Sequence, residues 1–147
     1  AAAPSPTAIG LWNNTAATYV AERKLDDLEA TRVFALLHAA IFDAFIGCWD
    51  SKYFYWYVRP SQANPEIPLA IGLPNHPSYP SGHSCQSAAA ARVLAQFFPS
   101  HTTELNTMVA DAGLSRILAG IHYRFDVTAG QSLGRAVADW AIAHSDF

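Results

Sequence analysis

Three short clusters of side chains carry residue types suited to binding and processing an oxyanion. The first is Lys52-Tyr-Phe-Tyr-Trp-Tyr-Val-Arg59-Pro60. A lysine and an arginine seven apart fall on one helical face, two turns apart, so both can address one anion. The same pattern also reads as two solvated cations flanking an aromatic core stripe. The second is Tyr79-Pro80-Ser81-Gly82-His83, set directly before a helical stretch. Glycine lets backbone approach a ligand, a helix start presents unpaired N–H groups, and histidine titrates near neutrality. An ordinary Pro-Ser-Gly turn with a surface histidine is the plain alternative. The third runs Ser115-Arg116-Ile-Leu-Ala-Gly-Ile-His122-Tyr-Arg-Phe-Asp126. With helical spacing, the Asp126 carboxylate can accept from one imidazole nitrogen of His122, which leaves the other free as nucleophile or ligand. A local structural His–Asp pair has the same spacing.

Taken together, the clusters supply three cations (Lys52, Arg59, Arg116), an N–H-rich helix start (Ser81, Gly82) and two histidines (His83, His122). Such a set suits a tetrahedral or trigonal-bipyramidal oxyanion. A bare divalent metal on His83, His122 and Asp126 would be repelled by the cations.

These residues need elements to hold them. Helical periodicity covers Thr7 to Lys24. Asp26 with Glu29 three residues on forms a capping-box pattern, followed by an apolar face of Leu28, Val33, Leu36, Leu37, Ala40, Ile41, Ala44 and Phe45. This helix runs to about Trp56 and must stop by Arg59, because Pro60 disfavours α geometry before it. Residues 60–80 hold six prolines and form a long loop of the kind that carries function. Further helices are expected over Ser84–Phe98, from Thr102 or Thr103 to about Ala119, and over Asp126–His144. The expected fold is all-α, a bundle of about five helices in a single domain spanning 1–147. Trp12, Trp56 and Trp140 are expected in the core; His38, His101 and His144 are read as structural or surface residues.

The chain has 147 residues, 51% hydrophobic, with nine Lys+Arg against twelve Asp+Glu. That length supports one core. The balance of −3 gives no basic footprint for nucleic acid. The longest apolar stretch, Val33–Trp49, is short for a bilayer and interrupted by His38 and Asp43, so a buried helix is expected rather than a membrane span. Cys48 and Cys85 have no metal-finger spacing and read as a reduced buried pair, with a single disulfide as the alternative. The N-terminus has no charged leader; removal of a signal peptide or cutting of a longer chain are both open, so a soluble, secreted or periplasmic address is not distinguished.

The succession K-x6-R-P, P-S-G-H, S-R-x5-H-x3-D resembles the superfamily of vanadium-dependent haloperoxidases, class A bacterial acid phosphatases and type-2 phosphatidic acid phosphatases. All three blocks are intact and in order from Lys52 to Asp126, with weaker similarity from about Phe34 to Trp140. The resemblance implies that Lys52, Arg59, Ser81, Gly82 and Arg116 bind the equatorial oxygens of vanadate or phosphate. It implies His122 as covalent anchor (vanadium ligand or phosphoryl nucleophile), His83 as acid–base residue, and Asp126 as the group that orients His122. The stretch Asp43–Asp50 with Lys52, and His122–Asp126, resemble the haloperoxidase branch more. Trp49 and His76 fall where that branch shapes a halide pocket.

The leading expectation is therefore a vanadate-dependent haloperoxidase using hydrogen peroxide and halide. A phosphomonoesterase working through a phosphohistidine is the alternative, and a non-catalytic oxyanion-binding module the third reading. Relatives in the haloperoxidase branch are much longer, so the chain resembles their C-terminal catalytic half. The apolar face of the second helix is then expected to need a companion N-terminal segment or a second copy.

Overall fold

A computed structural model describes residues 7–145. It contains five long helices, one single-turn α-helix and a 3-10 turn at Pro99–His101, and no strand among the described residues. They are α1 (Ala8–Arg23), α2 (Asp27–Tyr55), α3 (Pro60–Ala63), α4 (Gly82–Phe97), α5 (Thr102–Leu118) and α6 (Arg124–Ala143). The all-α expectation and the number of long helices agree with this.

Local chemistry sets the ends of the elements. Asp26 accepts from the Glu29 backbone N–H at 2.8 Å, and Glu29 returns a bond to the Asp26 N–H at 3.2 Å, so the capping box forms as read. At the other end of α2, Trp56 takes a left-handed conformation (φ 49°), and the chain leaves the helix there. Lys52 and Arg59 are consequently not on one helical face. Arg59 lies beyond the turn, in extended conformation, just before α3. Likewise His122 precedes α6, which begins at Arg124 rather than Asp126.

Helix α4 is the centre of the bundle and packs against α1, α2, α5 and α6. Its alanine run, Ala88–Ala91, is buried throughout, and small side chains let its neighbours approach closely. The tightest seam is with α6: a Cβ added at Gly134 would overlap the Cys85 carbonyl. The core continues through Trp12, Val33, Leu37, Val93, Leu94, Phe98 and Leu105.

Two tryptophan expectations are corrected. Trp12 is buried and its indole N–H donates to Ser87 Oγ at 3.1 Å. Trp56 and Trp140 are 69% and 60% exposed, because the first caps α2 at the surface and the second stacks on His144 on the outer face of α6. Leu28, Phe42, Ile46, Tyr53 and Phe54 also leave an apolar side of α2 exposed. The helical stretch Asp27–Ala63 contains an 18-residue window of mean hydropathy 1.5, long and apolar enough to cross a membrane by length and composition alone, and 39% of that window is buried in the bundle. Cys48 and Cys85 are free thiols, both buried.

Candidate active site

The three sequence clusters converge where the C-terminal part of α2, the loop 64–81, the start of α4 and the α5–α6 connection meet. Asp126 is completely buried. Its Oδ2 accepts three bonds: from Ser78 Oγ at 2.6 Å, from His122 Nδ1 at 2.9 Å and from the Tyr123 backbone N–H at 3.0 Å. The last of these is a helix cap, so α6 itself fixes the carboxylate. With Nδ1 tied to a carboxylate it carries the proton, and Nε2 is left as the bare nitrogen. Arg59 Nη1 lies 3.5 Å from that Nε2.

Arg59 is almost fully buried and fastened by acceptors: Nε donates to the His76 carbonyl at 3.0 Å, and Nη1 to the Ile121 carbonyl at 2.6 Å. Nη2 lies 3.2 Å from His76 Nδ1. Lys52 is fully buried, and its ammonium donates to three carbonyls, of Pro77 (2.8 Å), Ser78 (2.9 Å) and Pro80 (2.5 Å). That differs from the expectation of a lysine aimed at a ligand. An ammonium has three hydrogens, and here all three hold the loop that carries Ser81 and Gly82. Burial pulls its pKa down to about 8, and the nearby Arg59 charge adds to this.

Ser81 caps α4, and Ser84 Oγ lies 3.1 Å from Ser81 Oγ and donates to it. The Ser81 hydrogen is thereby released for another acceptor. The first amides of α4 have no intrahelical carbonyl to bond. Gly82 sits under the indole of Trp49: a Cβ there would come within 3.0 Å of the ring. Trp49 also lies 5.6 Å from Lys52 Nζ and 5.1 Å from the His76 ring. Trp49 and His76 are thus neighbours, and His76 is half-buried against Arg59.

His83 is exposed at the rim, yet surrounding protein strips part of its hydration. This desolvation first, then the charges of Arg116 and His122, push its pKa down to about 4. His76 is likewise held at about 4, by burial and then by Lys52 and Arg59. Burial lowers the His122 pKa against the opposing pull of Asp126. Arg116 is half-buried, with Nε donating to Ser115 Oγ at 3.0 Å. Its charge and that of His122 both act on His83 and lower its pKa.

The electrostatic balance is informative. Lys52 and Arg59 are two buried cations, Arg116 a third that is half-buried, and Asp126 the one buried carboxylate beside them. Uncompensated buried charge is costly. A multiply charged oxyanion against His122 Nε2 would balance it, so the donor set fits vanadate or phosphate. No group of three or more His, Cys, Asp or Glu that could hold a metal ion occurs among the described residues. Ser78 was missed by sequence reasoning; a serine between prolines gives no signal, and its acidic partner is 48 residues away. His38 pairs with Asn13, His101 stacks on Tyr19, and His144 bonds its own helix, all away from this cluster.

Comparison with known proteins places the chain beside several solved structures and curated sequences. The structure matches a bacterial vanadium-dependent iodoperoxidase with a TM-score of 0.84 and 26% identity, over 93% of this chain and 39% of that one. It also matches LpxE of Aquifex aeolicus (TM-score 0.69, 23% identity, 91% and 84% of the two chains), which is a likeness of fold. Among curated sequences, the vanadium-dependent bromoperoxidase of Ascophyllum nodosum is 33% identical over 102 residues, covering 48% of this chain and 18% of the relative. The non-specific acid phosphatase of Salmonella typhi is 42% identical over 57 residues, 39% and 23% of the two chains. A decaprenylphosphoryl-5-phosphoribose phosphatase of Mycolicibacterium smegmatis is 39% identical over 72 residues, 49% and 38% of the two. The chain spans less than half the length of each of these curated relatives. A family profile covers residues 32–145, and the chain belongs to the PAP2 superfamily.

Proposed function

We propose that this chain is the catalytic helical domain of a vanadate-dependent haloperoxidase. The observation that carries the reading is the match to the bacterial iodoperoxidase, at TM-score 0.84 over 93% of the chain, with a buried surplus of positive charge at its centre. His122 Nε2 would hold the vanadate, with Arg59, Arg116, Ser81 and the Gly82 amide around its oxygens. Vanadate would supply the activation of hydrogen peroxide for two-electron oxidation of halide to hypohalous acid.

The chain's own groups have separate tasks. Asp126 keeps the proton on His122 Nδ1, so that Nε2 stays bare. Arg59, buried, and Arg116, half-buried, would offset the negative charge of the anion, and charges removed from water act strongly. Lys52 works through the Pro77, Ser78 and Pro80 carbonyls, and its charge lies behind the oxyanion loop. His83 is unprotonated above about pH 4 and can take a proton from hydrogen peroxide. Trp49 and His76, beside Arg59, form the side of the cleft assigned to halide.

A second reading, phosphomonoester hydrolysis, is favoured by the acid phosphatase relatives and by the His122–Asp126 pair. There His122 Nε2 attacks phosphorus, the ester oxygen leaves with a proton from the protonated form of His83, which confines this reaction to acid pH, and water then cleaves the phosphohistidine. The deciding experiment compares halogenation of monochlorodimedone, with orthovanadate, peroxide and halide, against phosphate release without them. Phosphate release blocked by vanadate, with no halogenation, overturns the first reading. Anion binding without either turnover, kept in His122→Ala, would point to a non-catalytic module. The exposed apolar side of α2 is assigned to a companion segment or second copy, which light scattering of the purified chain tests.

A further inference from the structure

We propose that Ser78 is a positioning residue for the reaction: its hydroxyl holds the Asp126 carboxylate on the Nδ1 edge of His122. Ser78 is completely buried, and its 2.6 Å bond is the shortest of the three that reach Asp126 Oδ2. The other two come from His122 and Tyr123, neighbours of Asp126 in the chain. Only Ser78 reaches the carboxylate from another segment. Asp126 Oδ1 has no hydrogen-bond partner among the described residues. The hydrogen bonds that restrain this carboxylate therefore act through one oxygen, and apart from the adjacent His122 and Tyr123, rotation about the Cβ–Cγ bond is opposed among the described residues by Ser78 alone.

The backbone of Ser78 adds to this. Its carbonyl accepts from Lys52 Nζ at 2.9 Å, and its N–H donates to the Tyr57 carbonyl at 2.8 Å, two residues before Arg59. One residue thus ties the loop ahead of Ser81, the lysine beneath it and the His122–Asp126 pair into a single frame. Ser78 Oγ also lies 3.5 Å from His122 Nδ1, so the hydroxyl sits beside the bond it stabilises. A charge-assisted O–H···O⁻ bond of this length is among the stronger hydrogen bonds. The consequence for chemistry is that His122 presents Nε2 in one tautomer and one direction. This rests on the reading that Nε2 is the atom joined to the oxyanion.

The test uses Ser78→Ala and Ser78→Cys, the second keeping a side chain of similar size with a weak donor. Turnover in whichever assay the wild-type chain supports should fall about tenfold, with KM within about threefold, as expected for loss of a group that orients an active histidine. Separately, the His122 Nδ1 proton in ¹⁵N-histidine-labelled protein should exchange with water about tenfold faster in the variants. If the alanine variant does not fold, the cysteine variant carries both measurements. Unchanged turnover, a loss residing only in KM, or unchanged proton exchange overturns the positioning role. The exchange measurement needs no substrate, so it decides the role of Ser78 even if neither halogenation nor phosphate release is found.

Discussion

Replacing Asp126 with asparagine tests the electrostatic core of the site. The substitution keeps shape and removes the carboxylate that faces Lys52 and Arg59, both buried. Breaking a buried charge set by removing one partner costs roughly 3–5 kcal/mol. Ser78, His122 and Tyr123 all donate to one oxygen, so an asparagine that turns its carbonyl toward them keeps the three bonds, now to a neutral acceptor, and sets its NH₂ where Oδ1 has no partner; the carboxylate charge is what is lost. Asn can still accept from the Tyr123 N–H, which keeps the start of α6 intact. For a chain of this size, about 2–4 °C of melting temperature is lost per kcal/mol, so the expected drop is roughly 6–20 °C. Total stability of such a domain is about 5–15 kcal/mol, so the variant should still fold. Urea unfolding followed by circular dichroism at pH 7 measures the difference directly. Turnover should fall about 10–100-fold or more, because His122 loses the charge that selects its tautomer. A loss of less than about 1 kcal/mol would refute the argument that the carboxylate balances buried cations.

Four further outcomes follow from the geometry. In the halogenation assay the kcat/KM profile should lose activity as pH falls through about 4, where His83 gains its proton, whereas phosphate release through a protonated His83 should be lost as pH rises through the same value; a limb near the ordinary histidine value would refute the desolvated setting. The same shift bears on folding: His76 and His83 bind protons less readily folded than unfolded, so urea stability should rise with pH between about 4 and 6.5. Gly47→Ala should stabilise by about 0.5–1 kcal/mol, since its Cβ would meet only Leu133 at 3.7 Å, whereas Gly134→Ala should destabilise strongly by parting α4 from α6; thermal melts compare them. Orthovanadate at about 100 times its Kd should add about 2.7 kcal/mol to the stability of the wild-type chain, and replacing Arg116 by alanine should shrink that gain. A thermal shift equal in both proteins would remove Arg116 from the anion's surroundings.

The parts of this architecture legible in the sequence are those whose cause is local. Asp26 and Glu29 cap α2 because their spacing alone satisfies two N–H groups. Pro60 stops the helical path because its ring constrains Arg59. The motif blocks announce the PAP2 superfamily because each gathers its distinctive residues in a short stretch of chain. What was not legible depends on distant partners. The Lys52–Arg59 spacing suggested a shared helix face, but the left-handed turn at Trp56 breaks the helix, and Arg59 returns to the site by way of His76 and Ile121. The engagement of Lys52 with three carbonyls depends on a loop some 25 residues further on. Trp56 and Trp140 follow apolar periodicity, which shows that a residue can be buried but not that anything covers it. Ser78 carries no local signature at all.

The setting of Trp49 has a practical consequence. Its indole touches the Lys52 ammonium, the His76 ring and the glycine at the start of α4. Any anion entering beside these groups alters the field across that ring. The chain therefore carries its own optical reporter: with Trp56 and Trp140, at the surface, replaced by phenylalanine, changes in emission on anion binding can be followed in stopped flow without a label against the constant background of Trp12, buried in the core.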